Sequence, residues 1–185
     1  MVEKSYLRQH GIRIAVVSVI LIILLSTVFF SGAILKSKLP VKYEAEVEKY
    51  SEMYGVDKYL IFAVISVESD FDKNTESHVG ALGLMQIMPY TEEWINKKFG
   101  FEKGDLKDPD VNLNIGCCYI SDLIERFGTV ELALAAYNGG EGNVREWQRK
   151  YSSNGRDIDV IPFKETAKYV KKVTVRYELY KQLYS

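Results

Sequence analysis

Apolar residues follow two different patterns along the 185-residue chain. Residues 14–35 carry no charged side chain and are bounded by Arg13 and Lys36. From residue 43 onward, apolar residues recur instead at intervals of three and four, which is the spacing of amphipathic helices. Residues 69–89 lose this regularity, and glycines and a proline punctuate them. The pattern predicts an apolar segment followed by a helical domain that contains one irregular stretch, with room for short strands.

The apolar segment has the length of a membrane-spanning helix. As a helix, residues 14–35 would span about 33 Å at about 1.5 Å per residue, close to the thickness of the hydrocarbon core of a bilayer. We therefore predict an uncleaved membrane anchor. A cleaved signal peptide is the alternative, because Ser31-Gly32-Ala33 places small residues near the end of the run.

Charges beside this segment predict its orientation. Lys4, Arg8 and Arg13 precede it, which favours a cytoplasmic N-terminus. No cysteine directly follows the run, so a lipoprotein anchor is not indicated. The predicted organisation is a cytoplasmic tail (1–13), a transmembrane helix (14–35), a linker (36–42) and a domain on the extracytoplasmic face of the cell membrane (43–185).

Caps and breakers predict the helix boundaries of the domain. Asp57 and Asp108 are suited to cap helix starts, and Pro109 suits a first helical turn. Gly55 and Gly128 are expected to end helices. The predicted helices cover about 43–54, 58–68, 91–98, 109–127, 130–138, 143–149 and 162–184.

Composition excludes several classes of function. The 24 basic and 25 acidic residues are mixed without a long basic stripe, so no nucleic-acid partner is expected. Two histidines and the adjacent Cys117 and Cys118 lack the spacing of a zinc site, so neither a metal nor a cofactor is expected. The two cysteines are instead predicted to be small buried core residues.

Glu68 is the first candidate for chemistry. It lies three residues after Ile65, four after Val64 and seven after Ile61, which places all four on one side of a helix. A carboxyl at the end of an apolar stripe is expected to lose part of its hydration, and this raises its pKa. A general acid that works near neutral pH requires such a pKa. On spacing alone, a Glu68 that only reaches the solvent edge of the helix is the favoured interpretation, and the motifs that follow it change that balance.

The sequence after Glu68 resembles a known enzyme family. In chain order it contains Glu68-Ser69-Asp70-Phe71, then Ser77, then Gly80-Ala81-Leu82-Gly83-Leu84-Met85-Gln86-Ile87-Met88-Pro89, and later Ala135-Ala136-Tyr137-Asn138-Gly139-Gly140. These motifs are similar to those of the soluble lytic transglycosylase catalytic domain, which is related to goose-type lysozyme. The resemblance covers roughly residues 43–175. It implies a mainly α, lysozyme-like α+β domain.

The resemblance also implies roles for individual residues. Glu68 matches the single catalytic glutamate of the family. The closing element from Pro162 to Val170 matches a segment that borders the cleft, and the helix with Asn112 and Gly116 matches a scaffold helix. The implied substrate-binding residues are Ser77, Met85, Gln86, Tyr137, Asn138, Glu165 and Tyr169. The chain departs from the usual family pattern at two places. Gly139-Gly140 stands where members often have Ala-Gly, and Cys117-Cys118 stands where they usually have small apolar residues. Neither departure affects the implied chemistry.

The implied substrate is the glycan strand of peptidoglycan, and the implied reaction forms 1,6-anhydro-muramyl ends. A single motif carboxyl suits substrate assistance, since ordinary glycosidases use two. One alternative is a muramidase, which cleaves the same bond with water as the acceptor. The other is a non-catalytic glycan-binding module of a cell-envelope assembly. An intact set of Glu68, Gln86 and Tyr137 argues against the binding module.

Overall fold

The computed structural model describes residues 19–24, 26, 35–152 and 158–185. The chain divides into two units, Met1–Pro40 and Val41–Ser185. In the first unit, residues 19–24 and 35–38 are helical. Most of the predicted membrane segment, residues 14–35, lies outside the described residues. Within the described ranges, we find no helix that combines the length and the apolar character needed to cross a bilayer.

The second unit contains seven helices among its described residues. Their bounds are Glu44–Tyr54 (α1), Lys58–Glu68 (α2), Pro89–Phe99 (α3), Pro109–Phe127 (α4), Val130–Gly139 (α5), Glu141–Tyr151 (α6) and Lys164–Tyr184 (α7). These helices confirm the predicted mainly helical domain.

Side-chain caps and glycines set the helix ends. The carboxylate of Asp57 accepts a hydrogen bond from the Tyr59 N–H at 2.8 Å, and Asp108 accepts one from the Asp110 N–H at 2.9 Å. Gly55 and Gly128 end α1 and α4 in the left-handed conformation. Because these signals are local, the sequence predicted all four correctly.

The boundaries of three helices differ from the predicted ones. Helix α3 begins at Pro89, two residues earlier than predicted, since proline is tolerated in a first helical turn. Helix α7 begins at Lys164 and not at Pro162. Helix α6 is longer than the predicted 143–149, because Gly140, at φ 84°, separates it from α5 by a single residue.

Helix α2 lies at the centre of the domain. Its residues from Leu60 to Ser66 are all buried, so it is apolar on every side for most of its length. Helix α7 packs along it, and the rings of Phe62 and Tyr180 stack with centroids 5.7 Å apart. Helix α5 in turn packs on α4, α6 and α7. Cys117 and Cys118 are buried and unbridged, which confirms their predicted place in the core.

The irregular stretch between α2 and α3 contains little regular structure. Leu82 forms isolated antiparallel bridges with Glu76 and with Ile87, and no longer strand is present in the described part of the chain. The β component of the predicted α+β fold is therefore minimal. This stretch, residues 69–88, lies directly after Glu68.

Candidate active site

Glu68 is the last residue of α2, where the central helix reaches the surface. The chain then turns sharply, because Asp70 and Phe71 adopt left-handed conformations with φ of 50° and 66°. The Phe71 ring is buried and anchors this turn, whereas Asp70 is exposed. The two neighbouring carboxyl groups, Glu68 and Asp70, therefore have different environments.

The environment of Glu68 favours its protonated form. Burial raises its pKa to about 7, while the Tyr169 hydroxyl and the charge of Lys172 lower it by less. The raised pKa that the sequence predicted is confirmed. Such a group is protonated in a large fraction of molecules near neutral pH, and it can both donate and accept a proton there.

Tyr169, on α7, lies beside the Glu68 carboxyl. Its side chain is buried, and burial together with the negative charge of Glu68 raises the pKa of the hydroxyl well above its usual value. The hydroxyl is close enough to lower the Glu68 pKa, but it is not aligned for a full hydrogen bond with any described residue. A buried donor in this position can turn toward the carboxylate or toward a bound ligand.

Tyr137, on α5, approaches Glu68 from another direction. Its hydroxyl donates a hydrogen bond to the Met85 carbonyl oxygen at 2.6 Å. Burial and the nearby Glu68 raise the pKa of this hydroxyl well above its usual value. The ring of Tyr119, on α4, packs against Tyr137 with centroids 5.3 Å apart. Tyr137 thus joins the helical body to the irregular segment.

Gln86 lies in that segment and adopts a left-handed conformation, with φ of 49°. Its side-chain NH₂ donates to the carbonyl oxygens of Thr75 at 3.0 Å and Gly83 at 2.9 Å. Both amide protons are therefore used within the loop. The Oε1 atom remains as the acceptor that Gln86 can offer to a ligand.

Ser77 braces the same segment. Its hydroxyl oxygen accepts a hydrogen bond from the Ala81 N–H at 2.9 Å, and the Ser77 N–H donates to the Ala81 carbonyl at 2.9 Å. Ser77 is partly exposed, so the hydroxyl proton can still be donated outward.

Asn112, on α4, organises the loop from beneath. Its fully buried amide accepts from the Met85 N–H at 2.8 Å and donates to the Leu82 and Leu106 carbonyl oxygens at 2.9 and 2.8 Å. The sequence indicated a scaffold helix here but not this network. An asparagine at the buried face of a predicted helix was the available signal.

Met85 does not line the cleft with its side chain. The side chain is fully buried and packs on Gly116, where an added Cβ would overlap the Met85 sulfur. This differs from the predicted substrate contact, because the compact Gly116 leaves room for the thioether in the core. What Met85 offers to the site is its backbone, which holds Tyr137 and Asn112.

Several predicted residues meet around a recess of about 70 Å³. Gln86, Tyr137 and Asn138 line it, together with Tyr90 and Tyr119, which the sequence did not single out as site residues. Asn138 also lines an open groove of about 510 Å³ that contains Glu165 and the exposed ring of Phe163. Asn138 therefore borders both the recess and the groove. Ser77 lines neither of them.

The chemistry available here is proton transfer. Among the described residues, no three His, Cys, Asp or Glu side chains are grouped so that they could hold a metal ion. Glu68, Tyr137 and Tyr169 come from α2, α5 and α7, so the packing of three helices brings together one titratable acid and two phenols.

Comparison with protein families gives a match to the transglycosylase SLT domain over residues 46–160. The soluble lytic murein transglycosylase of Escherichia coli K12 is 35% identical over 156 residues, which is 79% of this chain and 24% of that protein. The membrane-bound lytic murein transglycosylase F of Desulfosudis oleivorans is 32% identical over 157 residues, or 76% of this chain and 33% of that protein. The chain therefore spans about a quarter to a third of the length of these relatives.

Solved structures show the same similarity. The 70 kDa soluble lytic transglycosylase of Escherichia coli superposes with a TM-score of 0.74 at 33% identity, covering 80% of this chain and 25% of that one. A complex of the 70 kDa enzyme with bulgecin A gives the same TM-score at 34% identity, with the same coverage.

Proposed function

Because the chain belongs to the transglycosylase SLT family, we propose that residues 43–185 form the catalytic domain of a peptidoglycan lytic transglycosylase. The observation that carries the proposal is Glu68, a carboxyl with a pKa of about 7 beside two buried tyrosine hydroxyls. Relatives named for action on murein supply the substrate class.

The proposed reaction begins with Glu68 protonated. Glu68 donates its proton to the glycosidic oxygen between N-acetylmuramic acid and N-acetylglucosamine, and the bond from the muramyl C1 to that oxygen breaks. The muramyl N-acetyl oxygen shields the positive charge that develops at C1. One carboxyl then performs the work that two carboxyls share in ordinary glycosidases.

In the second half of the reaction, Glu68 acts as a base. The carboxylate takes the proton from the muramyl 6-hydroxyl, and the oxygen forms a bond to C1 that closes a 1,6-anhydro ring. The proton given in the first step is recovered in the second, and no water is consumed. A pKa near neutrality suits both transfers, since neither protonation state is strongly disfavoured.

The remaining site residues are proposed to hold the sugar. Gln86 offers an acceptor, Ser77 a hydroxyl proton, and Tyr137 and Asn138 form a wall of the recess. Glu165 lines the adjoining groove, and Tyr169 is proposed to orient the Glu68 carboxyl. The backbone of Met85 fixes the Tyr137 hydroxyl.

We further propose that residues 14–35 anchor the domain on the extracytoplasmic face of the cell membrane. The uncharged run and the basic residues before it support this proposal. Relatives named membrane-bound lytic murein transglycosylases are compatible with it.

Mass spectrometry of muropeptides released from purified sacculi tests the function. A transglycosylase leaves 1,6-anhydro-muramyl ends, which lack one water relative to reducing N-acetylmuramic ends. We expect anhydro ends almost exclusively, because a positioned hydroxyl has an effective concentration of about 10⁵ M or more, well above that of water. Mainly reducing muramic ends would identify a muramidase instead.

A further inference from the structure

We propose that Arg176 is a positioning residue, which pins α7 to the last turn of α2 and so holds the Glu68 carboxyl beside Tyr169. In this role Arg176 acts through the end of the helix that carries Glu68, and not through contact with the sugar. The inference rests on the proposed function, since it concerns the orientation of the same acid.

The pin joins the second half of α7 to the end of α2. The Nη1 atom of Arg176 donates a hydrogen bond to the Ser66 carbonyl oxygen and another to the Ser66 hydroxyl, the latter at 2.6 Å. Ser66 is buried, and it lies two residues before Glu68. The contact therefore holds α2 within its last turn, close to the carboxyl.

The Ser66 carbonyl needs a donor from outside its own helix. The last four carbonyl groups of a helix lack a partner within it, and α2 ends at Glu68. In a longer helix the Asp70 N–H would bind the Ser66 carbonyl, but Asp70 turns away with φ of 50°. Arg176 supplies a donor instead, and its positive charge suits the negative end of the helix dipole. The end of α2 is thus tied to α7.

Arg176 shares one face of α7 with the groups that act on Glu68. Tyr169, Lys172 and Arg176 follow each other at intervals of three and four residues, so they lie on one side of the helix. Against the burial that raises the Glu68 pKa, the Tyr169 hydroxyl and the Lys172 charge act to lower it. Tyr137 faces the same carboxyl from α5. A shift of α7 along α2 would move Tyr169 and Lys172 relative to Glu68.

Tyr180 completes the contact one turn further along α7. Burial raises the pKa of Tyr180 to about 12, while a hydrogen bond with Ser66 and the charge of Arg176 lower it by less. Ser66, Arg176 and Tyr180 therefore form a polar cluster within the α2–α7 interface. A buried polar cluster requires matched geometry, so it favours a single register of the two helices.

The test uses Arg176→Met in the full-length protein, because methionine keeps an apolar stem but has no hydrogen to donate. We expect kcat for muropeptide release from solubilised peptidoglycan to fall about tenfold, because a small misplacement of the acid slows the chemical step. KM should change by less than about twofold, since the sugar contacts remain. Arg176→Lys should recover part of kcat, because an ammonium group can still donate to the Ser66 carbonyl.

The protonation of Glu68 gives a readout that a general loss of stability would not change. Without the pin, water reaches the carboxyl, and burial is the largest influence on its pKa, so the pKa should fall from about 7 toward 4.5. The falling limb of kcat/KM then moves to lower pH in Arg176→Met. Tyr169→Phe should move the limb to higher pH, since it removes a hydroxyl that lowers the pKa. Carbon NMR titration of the Glu68 carboxyl, assigned with Glu68→Gln, measures the same pKa without catalysis.

Lys171→Ala is the matched control, because Lys171 is an exposed cation on the outer face of the same helix. It should keep the kcat and the Glu68 pKa of the wild type. Ser66→Ala removes only the hydroxyl acceptor and should lower the Glu68 pKa by less, which keeps the test available if Arg176→Met does not fold.

A Glu68 pKa that stays unchanged or rises in Arg176→Met would overturn the pin, because loss of a positive charge by itself raises the pKa of a carboxyl. An equal fall in Lys171→Ala would also overturn it. Absence of anhydro products from the wild type would refute the proposed function, and the NMR titration would still decide the role of Arg176.

Discussion

Glu68 owes its proposed role to position as much as to chemical type. It ends a helix whose preceding residues are buried, so its carboxyl emerges at the boundary between the core and the surface. Asp70, two residues later, lies on the exposed side of a left-handed turn. Two carboxyl groups close in sequence therefore differ in hydration, and burial raises the pKa of Glu68 to about 7.

Glu68→Gln should abolish strand cleavage while the domain stays folded. Glutamine keeps the shape of the side chain but cannot supply or take up the proton, and loss of general acid–base catalysis typically costs about 10²–10⁴-fold. The rate of anhydro-muropeptide release from sacculi measures the effect. Asp70→Asn is the matched control and should cleave normally. Near-normal release by Glu68→Gln would refute the assignment.

The pH dependence of cleavage follows from the Glu68 pKa of about 7. The reaction starts from the protonated acid, so kcat/KM should fall as the pH rises through about 7. Steady-state release of soluble muropeptides across this range tests the expectation. A rate that stays constant well above this pKa would mean that another group supplies the first proton.

Glu68 should also cost the protein stability at high pH. Its pKa is about 7 in the folded state against an ordinary 4.5, so the folded protein retains a proton that the unfolded chain has lost between these values. The stability that this retained proton confers is fully present below pH 4.5 and is lost as the pH rises through about 7. The free energy of unfolding then falls by about 3 kcal/mol.

Glutamine does not titrate, so Glu68→Gln should gain stability relative to the wild type as the pH rises across this window. Urea unfolding of both proteins below pH 4.5 and above pH 7 measures the difference. Equal stability differences at the two ends would show that the carboxyl is ordinarily hydrated. The readout is independent of catalysis.

The irregular segment between α2 and α3 is rigidly supported even though it lacks strands. Asn112 binds it at two backbone atoms, the Met85 N–H and the Leu82 carbonyl oxygen, and Ser69 donates to the Leu84 carbonyl oxygen at 2.8 Å. Gly83, at φ 76°, sits so close to α4 that an added Cβ would overlap the Leu106 carbonyl oxygen and the Asn112 amide. Gln86 therefore reaches the recess from a fixed backbone.

Gly83→Ala should destabilise the domain more than Gly80→Ala. Both glycines have positive φ, so each substitution incurs backbone strain of about 1–2 kcal/mol. Only Gly83 adds a steric overlap, since nothing lies within 4 Å of a Cβ at Gly80. Overpacking should cost about 1–3 kcal/mol more, measurable as a lower urea midpoint. Equal midpoints for the two variants would show that the segment shifts freely.

Local and non-local features differed in how well the sequence predicted them. Caps such as Asp57 and Asp108 depend on residues a few positions away, and they were predicted correctly. The burial of the Met85 side chain depends on Gly116, which lies far along the chain, and spacing alone gave no sign of it. Tyr90 and Tyr119 line the recess for the same non-local reason.

At the scale of the whole domain, the candidate site is a product of helix packing. Glu68, Gln86, Tyr137 and Tyr169 come from α2, the following loop, α5 and α7, across about a hundred residues of sequence. Periodicity could place Glu68 at the end of a buried helix, but it could not bring α7 beside it. The family resemblance predicted that α7 and Glu68 belong to one site, because the family's motifs include both the catalytic glutamate and the closing element that borders the cleft.

The final prediction concerns how the whole chain is held in the cell. We expect the full-length protein in the membrane fraction, with residues 36–185 digested when protease is added to intact spheroplasts.

Ile22→Arg should weaken membrane retention, because a charge near the middle of the apolar run opposes insertion by about 2.5–3.5 kcal/mol. Val41→Arg, which adds the same charge in the linker, is the control and should be retained. A soluble product that starts near Ser31–Lys36 would reveal a cleaved signal peptide, and a protected domain would reverse the orientation. Anchoring would confine an enzyme of this kind to glycan within reach of the membrane, since residues 36–42 leave only a short linker between the bilayer and the domain.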